Sequence, residues 1–152
     1  MAKHPALRVA EWFIQYNLML EYQAGADTLT HFKLQKLLNY AQGSFLAVTG
    51  EPLFDDSIEK WTRGPVVKEV YDKVMAHGDI NDLLADAWTF SDFSQEEKDL
   101  LQEVFEVFGQ YSTWKLYDMM CGEAPWRETT RGEEIPLDKM RDFFVKEYLA
   151  EN

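Results

Sequence analysis

The sequence has little of the chemistry that marks the common metal-binding, redox and nucleotide-binding proteins. Its 152 residues include one cysteine, Cys121, and three histidines. A single thiol cannot close an internal disulfide, which suits a reducing compartment, and the histidines show no H-x-x-x-H or H-E-x-x-H spacing. The glycine patterns G-x-G-x-x-G and G-x-x-x-x-G-K, which cradle phosphates, do not occur. The sequence therefore predicts no metal site, no cofactor and no nucleotide site.

Positive charge is also scarce. Lys and Arg number 15 against 27 Asp and Glu, so the net charge is −12 at neutral pH. An acidic chain repels phosphate backbones, which argues against nucleic acid as a partner. The excess acid lies mainly in residues 51–100, whereas residues 1–50 carry a net +1 and leave room for a local basic patch. The acidic surface either steers a basic partner or simply keeps the protein in solution, and composition leaves both interpretations open.

Long apolar runs are missing as well. No stretch approaches the roughly 18 apolar residues of a membrane helix, and no signal-peptide core is visible at the N-terminus. We therefore expect a cytoplasmic protein with no membrane contact. Hydrophobic residues make up 46% of the chain and aromatic residues 14%, which is enough to bury a core without disulfides or metal. The length predicts one domain over residues 1–152.

Apolar spacing predicts a mainly α fold, a single compact helical domain with at most a small β-hairpin. The clearest helix begins after the N-cap Thr30 and ends before Gly50, with a stripe of core residues on one face. A helix over residues 6–24 has only a narrow polar strip and is expected to be central in the domain. Further helices are predicted from Val66 to about His77, from Gln95 to Phe108 behind a capping box, from Ser112 to about Met120, and from Pro136 onward.

Two segments alternate as strands do. Residues 57–62 alternate apolar and polar side chains, and residues 86–93 carry Trp88, Phe90 and Phe93 at near-alternating positions. These segments either pair as a small hairpin, or the second forms a packed loop. The sequence alone does not decide between the two.

Two nucleophiles need an interpretation. Ser112 and Lys115 form an S-x-x-K string like that of serine acylating enzymes, but the supporting motifs are missing and Ser112 is better explained as a helix cap. Cys121 would need His31 or His77 as a base, and nothing in the spacing specifies such a pair. A hydrolase that uses Ser112 or Cys121 is therefore kept only as a minor alternative.

Lys33, Lys36 and Tyr40 lie at i, i+3 and i+7 on one edge of the second predicted helix. Two cations beside an aromatic ring would suit an acidic group of a partner. The competing interpretation is an ordinary solvated helix face.

Three blocks of the chain resemble a known family. Residues 29–43 read LTHFKLQKLLNYAQG, residues 50–54 read GEPLF, and residues 58–71 read IEKWTRGPVVKEVY. In this order and spacing they resemble the Panacea domain of SocA-like antitoxins and phage-associated GepA-type proteins, and the resemblance spans roughly residues 7–148. Two departures are Met120-Cys121 in place of a usual Thr-His, and Lys60 in place of a usual Ala, which predicts an exposed strand edge.

The resemblance implies an antitoxin that neutralises a cognate protein toxin, encoded by an adjacent gene, through direct contact and without catalysis. An acidic, aromatic-rich chain with few motifs agrees with a binding protein, either monomeric or homo-oligomeric. Trp61, Pro65, Val66 and Trp126 are equally explained as internal packing residues. A different class of function is a stand-alone phage or prophage protein that binds a host factor, as an inhibitor or as a protease adaptor. The expected partner contacts are Lys33, Lys36, Tyr40, Trp61, Arg63, Gly64, Pro65 and Tyr71.

Overall fold

A long helix, α2 (His31–Thr49), runs through the middle of the fold, and the other elements pack around it. The computed structural model describes residues 4–84 and 89–149, and it confirms a mainly α domain with one small antiparallel hairpin. The remaining elements are α1 (Ala6–Ala24), β1 (Ile58–Trp61), β2 (Gly64–Val67), α3 (Lys68–His77), a 3₁₀ turn (Ile80–Leu83), α4 (Gln95–Phe108), α5 (Thr113–Cys121), α6 (Ala124–Arg127), α7 (Leu137–Phe144) and a π-helical turn (Val145–Leu149). No helix in the described ranges is both long and apolar enough to span a bilayer.

The predicted helix ends are confirmed where a side chain caps the backbone. The hydroxyl of Thr30 accepts a hydrogen bond from the N–H of Lys33 at the start of α2. Ser94 and Glu97 form the full capping box at the start of α4. Such caps satisfy backbone donors that have no partner inside the helix, so they can be read locally from sequence.

The expectation that the first helix is central is wrong. The central helix is α2, which packs against α1, α4, α5, α7 and β2. The C-terminal half of α1 reaches the surface, where Met19 and Tyr22 are exposed. A helix with apolar residues around most of its circumference is central only when other elements pack against all of its faces. In α1, Tyr22 is left exposed to solvent.

The polar residues of α2 are buried and bind the backbone of neighbouring segments. Gln35 accepts a hydrogen bond from Val67 N at 2.9 Å and donates to Val67 O at 3.5 Å. About two turns further along α2, Gln42 accepts a hydrogen bond from Leu53 N at 2.8 Å and donates one to Phe54 O at 2.8 Å. Gln35 therefore fixes the end of β2 to the helix, and Gln42 fixes the loop at residues 53–54, since buried backbone groups must find partners.

The predicted strand over residues 57–62 is confirmed as β1, but its hairpin partner is β2 and not the segment over residues 86–93 considered above. Strand β1 pairs with β2, in the register Ile58↔Val67 to Trp61↔Gly64, and α3 begins only at Lys68. The prediction that Val66 and Val67 start a helix is therefore wrong. Gly64 has a φ of +137°, a backbone conformation that favours glycine. It pairs with Trp61, so the chain reverses over the two residues between them. The β-branched valines then fit an extended, buried strand better than a helix.

The outer edge of β1 is covered, contrary to the expectation from Lys60. Lys60 N donates to Glu133 O at 2.9 Å, and Lys60 O accepts from Gly132 N. Further along, Ile135 N donates to Ile58 O at 2.8 Å. The segment before α7 thus runs beside the strand and satisfies its free backbone groups.

The segment after the 3₁₀ turn is a packed loop where it is described. Arg8 of α1 holds it through both carboxylate oxygens of Asp92, at 2.8 and 2.9 Å, and through Thr89 O at 2.7 Å. The guanidinium also lies 4.1 Å from the ring centroid of Phe90. Trp88 lies outside the described residues, so the predicted strand over residues 86–93 is tested only in its second half, which forms no strand.

Candidate partner-binding groove

A groove of about 610 Å³ opens beside the hairpin, and it collects several residues that the sequence marked for partner contact. Its walls come from the N-terminal end of α2, the β1–β2 turn, α3 and the turn before α7. We call it the basic-aromatic groove, because it is lined by His31, Phe32, Lys60, Trp61, Thr62, Arg63, Val66, Tyr71, Met75, Arg131 and Gly132.

Aromatic rings form the floor of the basic-aromatic groove. The rings of Trp61 and Tyr71 are 4.8 Å apart between centroids and tilted by 60°. The ring centroid of Tyr71 also lies 5.5 Å from that of His31. Trp61 and Tyr71 are half-buried, while Met75 at the rim is 59% exposed. A partially exposed aromatic pair offers a large apolar surface at little cost in side-chain entropy.

His31 is held as a neutral ring. Burial lowers the pKa of its imidazole. Gln35 uses its amide oxygen to accept from Val67 N, so its amide nitrogen faces His31 Nε2 at 3.1 Å and donates to it. A ring nitrogen that accepts a hydrogen bond is unprotonated, which agrees with the lowered pKa.

The charge of the groove is opposite to that of the whole protein. Its lining contains three cations and no carboxylate, although the chain carries −12. Arg63 and Arg131 are exposed and form no ion pair with any described residue. The third cation, Lys60, is tied to Trp126 O at 2.8 Å. Two arginines are therefore free to bind an anionic group.

Lys36 lies beneath this groove rather than in it. Its side chain is buried, with 1% of the residue exposed, and its Nζ donates to Arg63 O at 3.1 Å. A side chain at Gly64 would place its Cβ 2.9 Å from this Nζ. Burial lowers the pKa of Lys36 to about 8. Lys36 therefore holds the β1–β2 turn in place and does not reach a partner on the surface.

Tyr40 is also buried and lies elsewhere. Its hydroxyl donates to Glu123 Oε2 at 2.9 Å, and its ring stacks on Phe108 at 4.0 Å. Burial and the neighbouring carboxylate raise the pKa of the Tyr40 hydroxyl. Burial likewise raises the pKa of Glu123 to about 7. In this conformation Tyr40 has no exposed surface with which to contact a partner.

The remaining predicted contacts divide between the groove and its support. Lys33 donates to Gly109 O at 2.6 Å and so joins α2 to the end of α4. Gly64 and Pro65 are buried in the hairpin. The structure thus brings Trp61, Arg63 and Tyr71 together on one surface, adds Phe32 and Arg131, and places Lys33, Lys36 and Tyr40 in packing roles.

The structure shows what surrounds each of the two candidate nucleophiles, Ser112 and Cys121. Ser112 is the N-cap of α5 and accepts from Lys115 N at 3.0 Å, as the capping interpretation predicted. Cys121 is exposed at the end of α5, and its described neighbours are Tyr117 and Lys36 rather than a histidine. No group of His, Cys, Asp or Glu in the described ranges is arranged to hold a metal ion.

A second groove, of about 620 Å³, has the opposite character. It lies between the C-terminal half of α2 and the start of α4, about 25 Å from His31 along the axis of α2 at 1.5 Å per residue. Its apolar lining includes Val48 and Leu100. We call it the acidic groove, because its polar lining includes Glu51, Glu96, Glu97, Asp99 and Glu103 and no Lys or Arg.

A helical domain with an open groove of unpaired cations and aromatic rings is typical of proteins that bind another macromolecule. Comparison with known families agrees with this class. Residues 34–127 match the family described as "Antitoxin SocA-like, Panacea domain". The match covers more than half of the chain, and the protein belongs to this family. The resemblance stated from the sequence is therefore confirmed.

A curated relative is "Antitoxin SocA" of Caulobacter vibrioides (strain NA1000 / CB15N). The two proteins are 41% identical over 63 residues, which make up 41% of this chain and 34% of the relative. The matched region thus spans about a third of the relative's length. No solved structure matches this chain.

Proposed function

We propose that this protein is an antitoxin that neutralises a protein toxin by direct contact through the basic-aromatic groove. The observation that carries the proposal is the meeting of Trp61, Arg63 and Tyr71 on one exposed surface in a chain of the SocA-like family. Aromatic residues and arginine supply most of the binding energy at protein interfaces. Binding at this surface requires no reaction by the antitoxin itself.

The partner is a toxin encoded beside this protein, and the complex forms in the cytoplasm. Lys36 supports the binding surface from below, since it holds the carbonyl of Arg63. Gly64 and Pro65 shape the turn that presents Arg63. Lys33 and Tyr40 act further away, by fixing α2 to its neighbours.

The test is co-expression with the product of the neighbouring reading frame under separate inducible promoters. We expect the neighbour alone to arrest growth, and this protein to restore growth and to co-purify with the neighbour. A neighbour that is harmless alone, or that stays toxic beside this protein, contradicts the proposal. In that case a pull-down from host lysate would test the alternative of a stand-alone protein that binds a host factor.

A further inference from the structure

The basic-aromatic groove has a composition that selects the chemistry of its occupant. We infer that it binds an acidic segment of the toxin that carries one aromatic or branched apolar side chain. This inference rests on the proposed function and adds the identity of the partner segment. The residues that line the groove, and their contrast in charge with the acidic groove, select this occupant.

The apolar part of the occupant follows from the ring geometry. Trp61 and Tyr71 leave part of each ring uncovered, and Met75 adds a mostly exposed apolar side chain at the rim. Water in contact with these rings is displaced favourably by an apolar side chain, at roughly 25 cal/mol per Å² of buried apolar surface. Trp61 is held in position, since its Nε1 donates to Glu59 Oε1 at 2.8 Å. A preformed aromatic surface loses little freedom when it binds.

The acidic part of the occupant follows from Arg63 and Arg131. Both are exposed, both line the groove, and neither has an ion-pair partner in the described parts of the chain. A guanidinium group binds a carboxylate through two parallel hydrogen bonds, which fixes orientation as well as position. The Arg63 guanidinium lies 5.5 Å from the ring centroid of Phe32, and this contact restricts where it points.

The contrast with the acidic groove decides the sign of the partner's charge. The two grooves are nearly equal in volume, about 610 and 620 Å³, but one is lined by cations and the other by carboxylates. An acidic segment would be repelled by the carboxylates of the acidic groove and attracted by the free arginines of the basic-aromatic groove. Charge therefore favours the basic-aromatic groove over the acidic groove, which is how electrostatic complementarity gives specificity.

The first experiment measures binding of short labelled peptides by fluorescence anisotropy. The probes are Asp-Glu-Trp-Leu-Glu-Asp, its amide counterpart Asn-Gln-Trp-Leu-Gln-Asn, and a basic counterpart Lys-Arg-Trp-Leu-Arg-Lys. We expect the acidic probe to bind about tenfold tighter than the amide probe, which corresponds to one good charge pair. Equal binding of the acidic and amide probes, no binding of the acidic probe, or tighter binding of the basic probe would overturn the inference.

Two matched variants locate the site. Arg63→Glu with Arg131→Glu reverses the charge of the basic-aromatic groove, and Glu96→Lys with Glu103→Lys reverses that of the acidic groove. All four side chains are exposed, so circular dichroism should show a native fold in both variants. We expect the arginine variant to lose the preference for the acidic probe, while the glutamate variant keeps it within about twofold. Competition of the acidic probe by ATP at the same arginines would instead indicate a nucleotide site and would overturn the inference.

The same variants in the growth assay separate this inference from the proposed function. Failure of the wild-type protein to protect cells would refute the antitoxin role, whatever the peptides show. Protection by the wild type that is lost in the arginine variant and kept in the glutamate variant supports both. Protection that survives Arg63→Glu with Arg131→Glu leaves the antitoxin role intact and refutes the acidic-segment inference.

Discussion

Glu123 is a buried carboxyl group that forms hydrogen bonds with tyrosines. It accepts a hydrogen bond from Tyr40 at 2.9 Å, and it also interacts with Tyr148 near the C-terminus. Burial disfavours its charged form and raises its pKa from 4.5 to about 7. Between these two values the folded state binds more protons than the unfolded state. Stability is therefore greatest below pH 4.5 for this group and falls as the pH rises to 7.

The variant Glu123→Gln should remove this pH dependence. Glutamine keeps the shape and can still accept from Tyr40, but it carries no charge at any pH. Between pH 5 and 7.5 we expect the wild type to lose about 2 kcal/mol of unfolding free energy relative to the variant. Urea denaturation of both proteins at these pH values measures the difference. Parallel pH profiles would show that Glu123 is ionised in the fold at both pH values.

Lys36 affects stability in the opposite direction, since its contribution makes the folded state more stable as the pH rises into the alkaline range. Its pKa is lowered to about 8, against 10.5 when exposed, so its burial costs most when the group is protonated in both states. For Lys36→Met we expect the wild type to gain about 2 kcal/mol relative to the variant between pH 7 and 10. Urea denaturation at both pH values measures the difference, with Lys68→Met at an exposed position as the matched control. A flat difference between wild type and Lys36→Met would contradict the burial of the charge.

At the scale of elements, α2 and α7 approach closely because Gly43 has no side chain. A Cβ at this position would lie 2.3 Å from the ring of Phe144, which is itself 1% exposed and packed at 5.9 Å from Tyr40. The glycine therefore sets the distance between the two helices.

Gly43→Ala should destabilise the protein by about 1–3 kcal/mol through overpacking. This is opposite in sign to the gain that alanine gives in an exposed helix. The measurement is the urea midpoint, with Gly43→Ala/Phe144→Leu as a second variant that makes room for the new methyl group. We expect the pair to be less destabilised than the sum of the single changes. Simple additivity would mean that the methyl group does not meet Phe144.

Local signals predicted most of the helices but not α6 or the correct start of α3, and long-range contacts decided what the sequence left open. The ends of α2 and α4 were predictable because Thr30 and Ser94 act within three residues of their own position. The burial of Gln35 and Lys36 was not, since their partners Val67 and Arg63 are about 30 residues away. In the groove, Trp61, Arg63 and Tyr71 were predicted through a motif, while Arg131 lies outside every motif and had no signal.

At the scale of the whole molecule, negative charge is concentrated and only partly paired. The net charge is −12, and the acidic groove has the exposed carboxylates of Glu96, Asp99 and Glu103 with no Lys or Arg in its lining. The free energy of folding therefore includes a repulsive contribution that dissolved salt weakens.

We expect the thermal midpoint to rise between 50 and 500 mM NaCl. A gain of roughly 1 kcal/mol would raise the midpoint by about 2–4 °C for a chain of this length. Differential scanning calorimetry measures it, and Glu96→Gln with Glu103→Gln should start from a higher midpoint and respond less to salt. A midpoint that falls with salt would show that attractive ion pairs outweigh the repulsion.

The small hairpin also restricts how any partner can attach. The outward backbone groups of β1 are taken by residues 132–135. On the other side, Pro65 has no N–H to offer, and both polar backbone groups of Val67 are held by Gln35. These contacts leave β1 and β2 few backbone donors for an incoming strand, which disfavours extension of the sheet by a bound chain at this site. The toxin contact proposed above would therefore depend on side chains rather than on backbone pairing.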